Sequence, residues 1–188
     1  MTKLLLSIHV VAAILLVGSI AVAASLFPRY AKQAALGGED SGGRAAGVAA
    51  FLHRICGAYA VAGVTVPVFG IATASELGVL TDAWLITSLV LTVVAALILA
   101  LAILPDQRRL LAMTEDATRE GATREGATRE GATTEDATRE GATTEHAAAK
   151  DGLSPLAARL AMLTGIFNVI WTVVVVLMIF RPGSTTGA

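Results

Sequence analysis

Four apolar runs divide the chain: Leu4 to Phe27, Ile55 to Ser75, Ala83 to Leu104 and Leu160 to Phe180, and none of them contains Asp, Glu, Lys or Arg. A helix rises about 1.5 Å per residue, so runs of this length reach roughly 31 to 36 Å, enough for a hydrocarbon core of about 30 Å. The pattern predicts an all-α fold, a four-helix transmembrane bundle with helices at about 4–27, 55–75, 83–104 and 160–180. Residues 1–104 would hold the first three helices, 105–158 a long low-complexity cytoplasmic connection between helices 3 and 4, and 159–188 the fourth helix with a short tail. The lipid bilayer is then the first partner of the chain.

Composition agrees. With 55% hydrophobic and 15% charged residues and a mean hydropathy of +0.70, the 188-residue chain is too apolar for an ordinary soluble domain of its size. A single cysteine, Cys56, excludes an intrachain disulfide and any CxxC motif. The rival reading of the first run is a secretory signal peptide, with Ala21-Val22-Ala23 as a cleavage site. The run exceeds the usual apolar core of about 7 to 15 residues, however, and Arg29 and Lys32 follow it at once.

Basic residues are segregated. The first loop carries Arg29, Lys32, Arg44 and Arg54, and the third connection eight more; the opposite side has only Lys3 and Arg181. The positive-inside rule therefore places the first and third connections in the cytoplasm and both termini outside a bacterial cell membrane.

Along the chain, Pro28 is expected to end the first helix and Gly37 to Gly43 to form a flexible turn. The second helix is rich in small residues, with Ala58 and Ala62 in small-xxx-small spacing, and Pro67 should kink it by removing the hydrogen bond to the Gly63 carbonyl. On the third helix Ser88, Thr92, Ala95, Ala96 and Leu99 make a weakly polar stripe that should face the bundle, and Pro105 should close the span. Residues 117–146 are six pentapeptides, ATREG three times, ATTED, ATREG and ATTEH. Five residues advance a helix by about 140° beyond a full turn, so the repeat presents no constant face and builds no core. Its glycines each cost about 1 kcal/mol in a helix, which predicts marginal helix or disorder. Acids outnumber bases ten to five between Glu115 and Asp151, so nucleic acid is not an expected partner. Pro155 then opens the fourth helix, where Asn168 should bond a Ser or Thr on a neighbour.

The chemistry-bearing groups inside the apolar runs are few: His9, Thr87, Ser88 and Asn168. An imidazole in hydrocarbon is costly unless paired, and depth counting puts His9 level with Thr87 and Ser88, so one of these hydroxyls is its expected partner. His53 lies at the other end of the second helix, roughly 25 Å away in depth, so the two imidazoles cannot share one metal ion.

A helix with an early histidine (Leu6-Ser7-Ile8-His9-Val10), then Gly18, a Pro28-Arg29 exit, and the third-helix exit Pro105-Asp106-Gln107-Arg108-Arg109 resembles an uncharacterised bacterial family of four-helix integral membrane proteins. That family is distantly similar to copper-resistance D membrane proteins and to haem-containing membrane protoporphyrinogen oxidases. The resemblance implies an axial haem ligand at His9, and hence haem b as a cofactor alternative; the Lys of the oxidases' third helix is replaced here by Thr87 and Ser88. The residues themselves call for no cofactor and no metal. Three functions are expected: a non-enzymatic membrane subunit that binds a membrane-protein partner or itself; a haem-dependent membrane oxidoreductase using His9; or a copper or small-solute permease. Catalytic residues are not identifiable in the sequence.

Overall fold

The computed structural model describes residues 2–37, 39–130 and 135–182, and the side chains of 2, 39, 40, 117, 118 and 120–153 lie outside that description. Every described element is a helix, and four are long and apolar enough to cross a membrane, over Lys3–Leu36, Ser41–Leu77, Ala83–Asp116 and Ser154–Phe180. Rod one is α1 (Thr2–Ala12), a π-helical turn (Ala13–Val17) and α2 (Gly18–Leu36); rod two is α3 (Glu39–Gly63) followed by α4 (Thr65–Leu77). Rod three is α5 (Ala83–Ile98), a second π turn (Leu99–Ile103) and α6 (Leu104–Glu130), and rod four is α7 (Glu135–Phe180). The backbone is thus helical well into the pentapeptide repeat, where the composition predicts marginal helix or disorder; residues 131–134 lie outside the described residues.

The rods are longer than the apolar runs. Thirty-four residues reach about 51 Å, so roughly 20 Å of rods one and three extends past a hydrocarbon core, all at the end that carries the Gly37 turn. The prolines that should have bounded the spans do not. Pro28 lies inside α2 and is itself buried, in an unbroken stripe of Ile20, Ala23, Ala24, Phe27, Pro28, Ala31 and Ala34 that packs on α3. That packing outweighs the roughly 3 kcal/mol cost of a mid-helix proline. Pro105 is tolerated for a different reason, since its ring would strike the carbonyl of Leu101, which sits in the widened π turn. Pro155 lies within α7 rather than opening it.

Pro67 alone breaks a rod, as its position predicts. α3 stops at Gly63, Val64 is a turn residue, and α4 restarts at Thr65. At the break, Val64 N–H donates to Val61 O at 3.3 Å, and Thr65 Oγ1 donates to Ala62 O at 2.7 Å.

The small residues that set the closest helix approach are not Ala58 and Ala62, of which Ala58 is exposed. They are Ala45, Ala49 and Cys56, which with Leu52 face the alanines of α2. The turn between these helices is also shorter than the glycine pattern suggests, because α3 begins at Glu39. A Cβ on Gly42 would stand 2.8 Å from Gly37 O, so only glycine admits this crossing.

Among the described side chains, the last buried one on rod three is Thr114 and the first on rod four is Ala157. Deleting residues 117–146 should therefore leave the bundle folded in the membrane fraction, with Tm in detergent moved by less than about 2 °C. Loss of the deletion protein from the membrane would show that the repeat carries part of the fold.

Candidate functional site: a cavity beside His9

In the half of the bundle that holds the 78–82 loop, α1 packs on α4 and α5 packs on α7. Between the two pairs lies a cavity of about 530 Å³, lined almost wholly by apolar side chains. Its walls include Leu6, His9 and Gly70 on one side and Trp84, Trp171 and Met178 on the other, with Arg181 among its lining residues. Ile14 and Ile179 belong to the lining and are also 67% and 71% exposed, so the cavity opens onto the bundle's apolar outer surface.

His9 is buried, and its Nδ1–H donates to the backbone carbonyl of Val66 at 2.9 Å. A carbonyl can only accept, so the proton sits on Nδ1, and in the neutral ring Nε2 carries a lone pair. Among the described residues Nε2 has no hydrogen-bond partner. Gly70 makes room for the ring: a Cβ there would come within 2.9 Å of His9 Cε1 and 3.3 Å of Nδ1.

The expected pairing with Thr87 or Ser88 does not form. Thr87 Oγ1 donates to Ala83 O and Ser88 Oγ to Trp84 O, each at 2.8 Å. A hydroxyl on a helix has its own i−4 carbonyl within reach at no cost in ordering a second chain segment, and that local bond wins. Ser88 is fully buried in the predicted bundle-facing stripe with Ala95 and Leu99, whereas Thr87 is exposed. Asn168 lies on α7 facing rod one, where its Nδ2 donates to Ser25 Oγ at 3.4 Å; its Oδ1 is buried without a hydrogen-bond partner, as is Thr164 Oγ1 one turn away.

A cluster at the rim ties α5 to α7. Trp84 Nε1–H donates to Asp82 Oδ2 at 2.9 Å, and the Arg181 guanidinium stands 5.5 Å from the centroid of the Trp84 ring. This cation–π contact holds the end of one helix over the start of the other.

A second polar cluster lies at the opposite end, where the Pro105-Asp106-Gln107-Arg108-Arg109 segment reads as an interfacial anchor. Asp106 and Gln107 are instead buried. Gln107 Oε1 accepts from His53 Nδ1 at 2.8 Å while its Nε2 reaches Cys56 Sγ at 3.6 Å, joining rods two and three. Asp106 Oδ2 lies 3.3 Å from Arg159 Nε on α7, an ion pair without the alignment of a hydrogen bond, and Arg109 stands 3.9 Å from Oδ1. Within the cluster, the polar atoms of Gln107 bond to His53 and Cys56, and the Asp106 carboxylate faces two guanidinium groups. The cluster's signal in the sequence is the spacing Leu99, Ile103, Gln107, Leu110, Thr114, which continues the buried stripe of rod three past the proline. His9 and His53 belong to different halves of the bundle, and among the described residues no three His, Cys, Asp or Glu side chains are grouped to hold a metal ion.

Replacing Gln107 by Ala removes the partner of a half-buried imidazole and leaves a void. The expected loss is about 1–3 kcal/mol, read as a Tm lower by several degrees in detergent. An unchanged Tm would show that the His53 contact contributes nothing.

Compared with known proteins, the chain matches no family model, no curated protein and no solved structure, so its functional reading rests on its own residues and geometry.

Proposed function

We propose that the chain is a multi-pass, non-enzymatic protein of a bacterial cell membrane that holds a membrane-soluble small molecule in the cavity between α1/α4 and α5/α7. The observation that carries this reading is the cavity itself. At about 530 Å³ it falls in the size range of small-molecule sites, it is apolar, it opens toward lipid, and its lining includes the buried residue His9, whose Nε2 is an acceptor left unbonded among the described residues. An intramembrane ionisable residue is a functional-site candidate in its own right.

The orientation with both termini outside is supported by the distribution of charge on the bundle. Arg29, Lys32, Arg44, Arg54, Arg108, Arg109 and Arg159 are all exposed at the end opposite the cavity. The cavity then opens in the outer leaflet. A tag at either terminus should be protease-accessible in intact cells and a tag in the repeat should be protected; the reverse pattern would invert the topology.

A second reading, haem-dependent redox chemistry, is favoured by one feature. A histidine that ligates a metal usually donates its other ring N–H to a carbonyl or carboxylate, and His9 donates Nδ1–H to Val66 O. His9 would hold haem through Nε2, with the Met178 thioether in the same lining; the haem would supply one-electron chemistry. A Soret band in the purified protein supports this reading and its absence retires it; copper found by elemental analysis would instead favour a copper permease.

Both tryptophans of the chain, Trp84 and Trp171, line the cavity, so intrinsic fluorescence reports on it directly. Octylbenzene, which has no polar group, should shift or quench that emission saturably. Ala13→Phe, which fills part of the lining, should weaken the effect several-fold. A response that never saturates, or that Ala13→Phe leaves unaltered, would remove the binding role.

A further inference from the structure

The polar groups around the cavity restrict what its occupant can be. Thr73 Oγ1 donates to Phe69 O at 2.7 Å and Thr92 Oγ1 to Ser88 O at 2.8 Å, so both hydroxyl protons are already used. Trp84 Nε1–H is committed to Asp82. The lining contains no carboxylate, so it offers a cation no counter-charge. Its only guanidinium, that of Arg181, stands over the Trp84 ring. Beside the weaker lone pairs of the Thr73 and Thr92 hydroxyl oxygens, the acceptor that remains is His9 Nε2, on a ring whose tautomer is set by Val66 and whose position is set by the absence of a side chain at Gly70. Two lining donors, the Trp171 indole N–H and the Arg181 guanidinium, make no hydrogen bond among the described residues.

From this arrangement we infer that the cavity selects a neutral, lipid-soluble hydroxyl compound, a phenol or alcohol head on an apolar body, whose O–H donates to His9 Nε2. The inference rests on the cavity being a ligand site and names the chemistry it reads. An O–H head meets an acceptor that is otherwise left unbonded in apolar surroundings, whereas an ether or ketone of the same shape leaves it so. Discrimination of this kind, against an analogue lacking the donor, is stronger than discrimination by a methylene more or less. The span from Trp171 to Arg181, ten residues or about 15 Å of helix, accommodates a ring with a medium alkyl chain.

The test uses the full-length protein in nanodiscs and three matched probes, 4-octylphenol, 4-octylanisole and 4-octylbenzoate, followed through the emission of Trp84 and Trp171. The phenol should bind about five- to tenfold more tightly than the anisole, which keeps the shape and the acceptor oxygen but has lost the donor, and more tightly than the benzoate. His9→Phe should abolish the preference of phenol over anisole. Gly70→Ala should do the same by displacing the imidazole. Equal binding of phenol and anisole to the unaltered protein overturns the inference while leaving a ligand site in place. Preferential binding of the benzoate overturns it too, and assigns the head group to Arg181. Failure of octylbenzene and of all three probes to bind removes the ligand site itself.

Discussion

The close approach of α2 and α3 is the contact on which the rest of the bundle depends. In lipid, helices gain little from burying apolar side chains against one another, so association rests on surfaces small enough for backbones to come together. Ala23, Ala24, Ala31 and Ala34 on one helix and Ala45, Ala49 and Cys56 on the other form such a surface, and the bundle's main core gathers around it. Because this contact belongs to the half with the Gly37 turn, the other half is free to diverge. Pro67 makes the divergence: rod two breaks at Val64, α4 follows α1, and α5 follows α7. The cavity is what the two pairs leave between them.

Polar accounting explains why this space can be kept open. Ser7, Ser19, Ser25, Thr73, Thr87, Ser88, Thr92 and Thr172 each donate to the carbonyl four residues earlier, so these hydroxyls are satisfied within their own helices, whereas Thr164 Oγ1 is buried without a partner. The satisfied hydroxyls place few demands on neighbouring helices. The side chains that do reach across are longer: His9 to Val66, Asn168 to Ser25, Gln107 to His53 and Cys56, and Asp106 to Arg159. Three of these four contacts involve α6 or α7, in or toward the closed half. Among the described residues, the one cross-helix hydrogen bond between α1 and α4 is that of His9, a lining residue of the cavity, so the bond that joins the two helices also fixes the tautomer of a ring in the cavity wall.

The architecture was legible because hydrocarbon thickness imposes a length on apolar runs that few other constraints produce. All four runs are helices of spanning length, and the bundle-facing stripe of rod three was readable through Ser88, Ala95 and Leu99. Helix ends were not legible. Pro28, Pro105 and Pro155 look alike in sequence to Pro67, yet only Pro67 stands where rod two breaks. The difference lies in what surrounds each ring: an alanine-lined contact compensates Pro28, a π turn accommodates Pro105, and Val64 beside Pro67 is exposed with no such compensation.

At the site, the sequence identifies His9 by elimination, since few other side chains in the apolar runs can ionise, but it does not identify its partner. Depth counting compares rods as straight cylinders and side chains as the only available acceptors. The π turn of rod one and the break in rod two alter the first assumption, and the second fails because a main-chain carbonyl on a neighbouring helix is as good an acceptor as a hydroxyl when a glycine lets the donor approach. Gly70, three residues after the proline and four after the accepting Val66, is therefore as much a part of the site as the histidine. Its role has no signature in composition or periodicity, because a helical glycine in an apolar run reads equally as packing. Only the 2.9 Å that separates its absent Cβ from the imidazole distinguishes a space reserved for a side chain from one that merely lies open, as at Gly18 and Gly57, where an added Cβ would meet nothing.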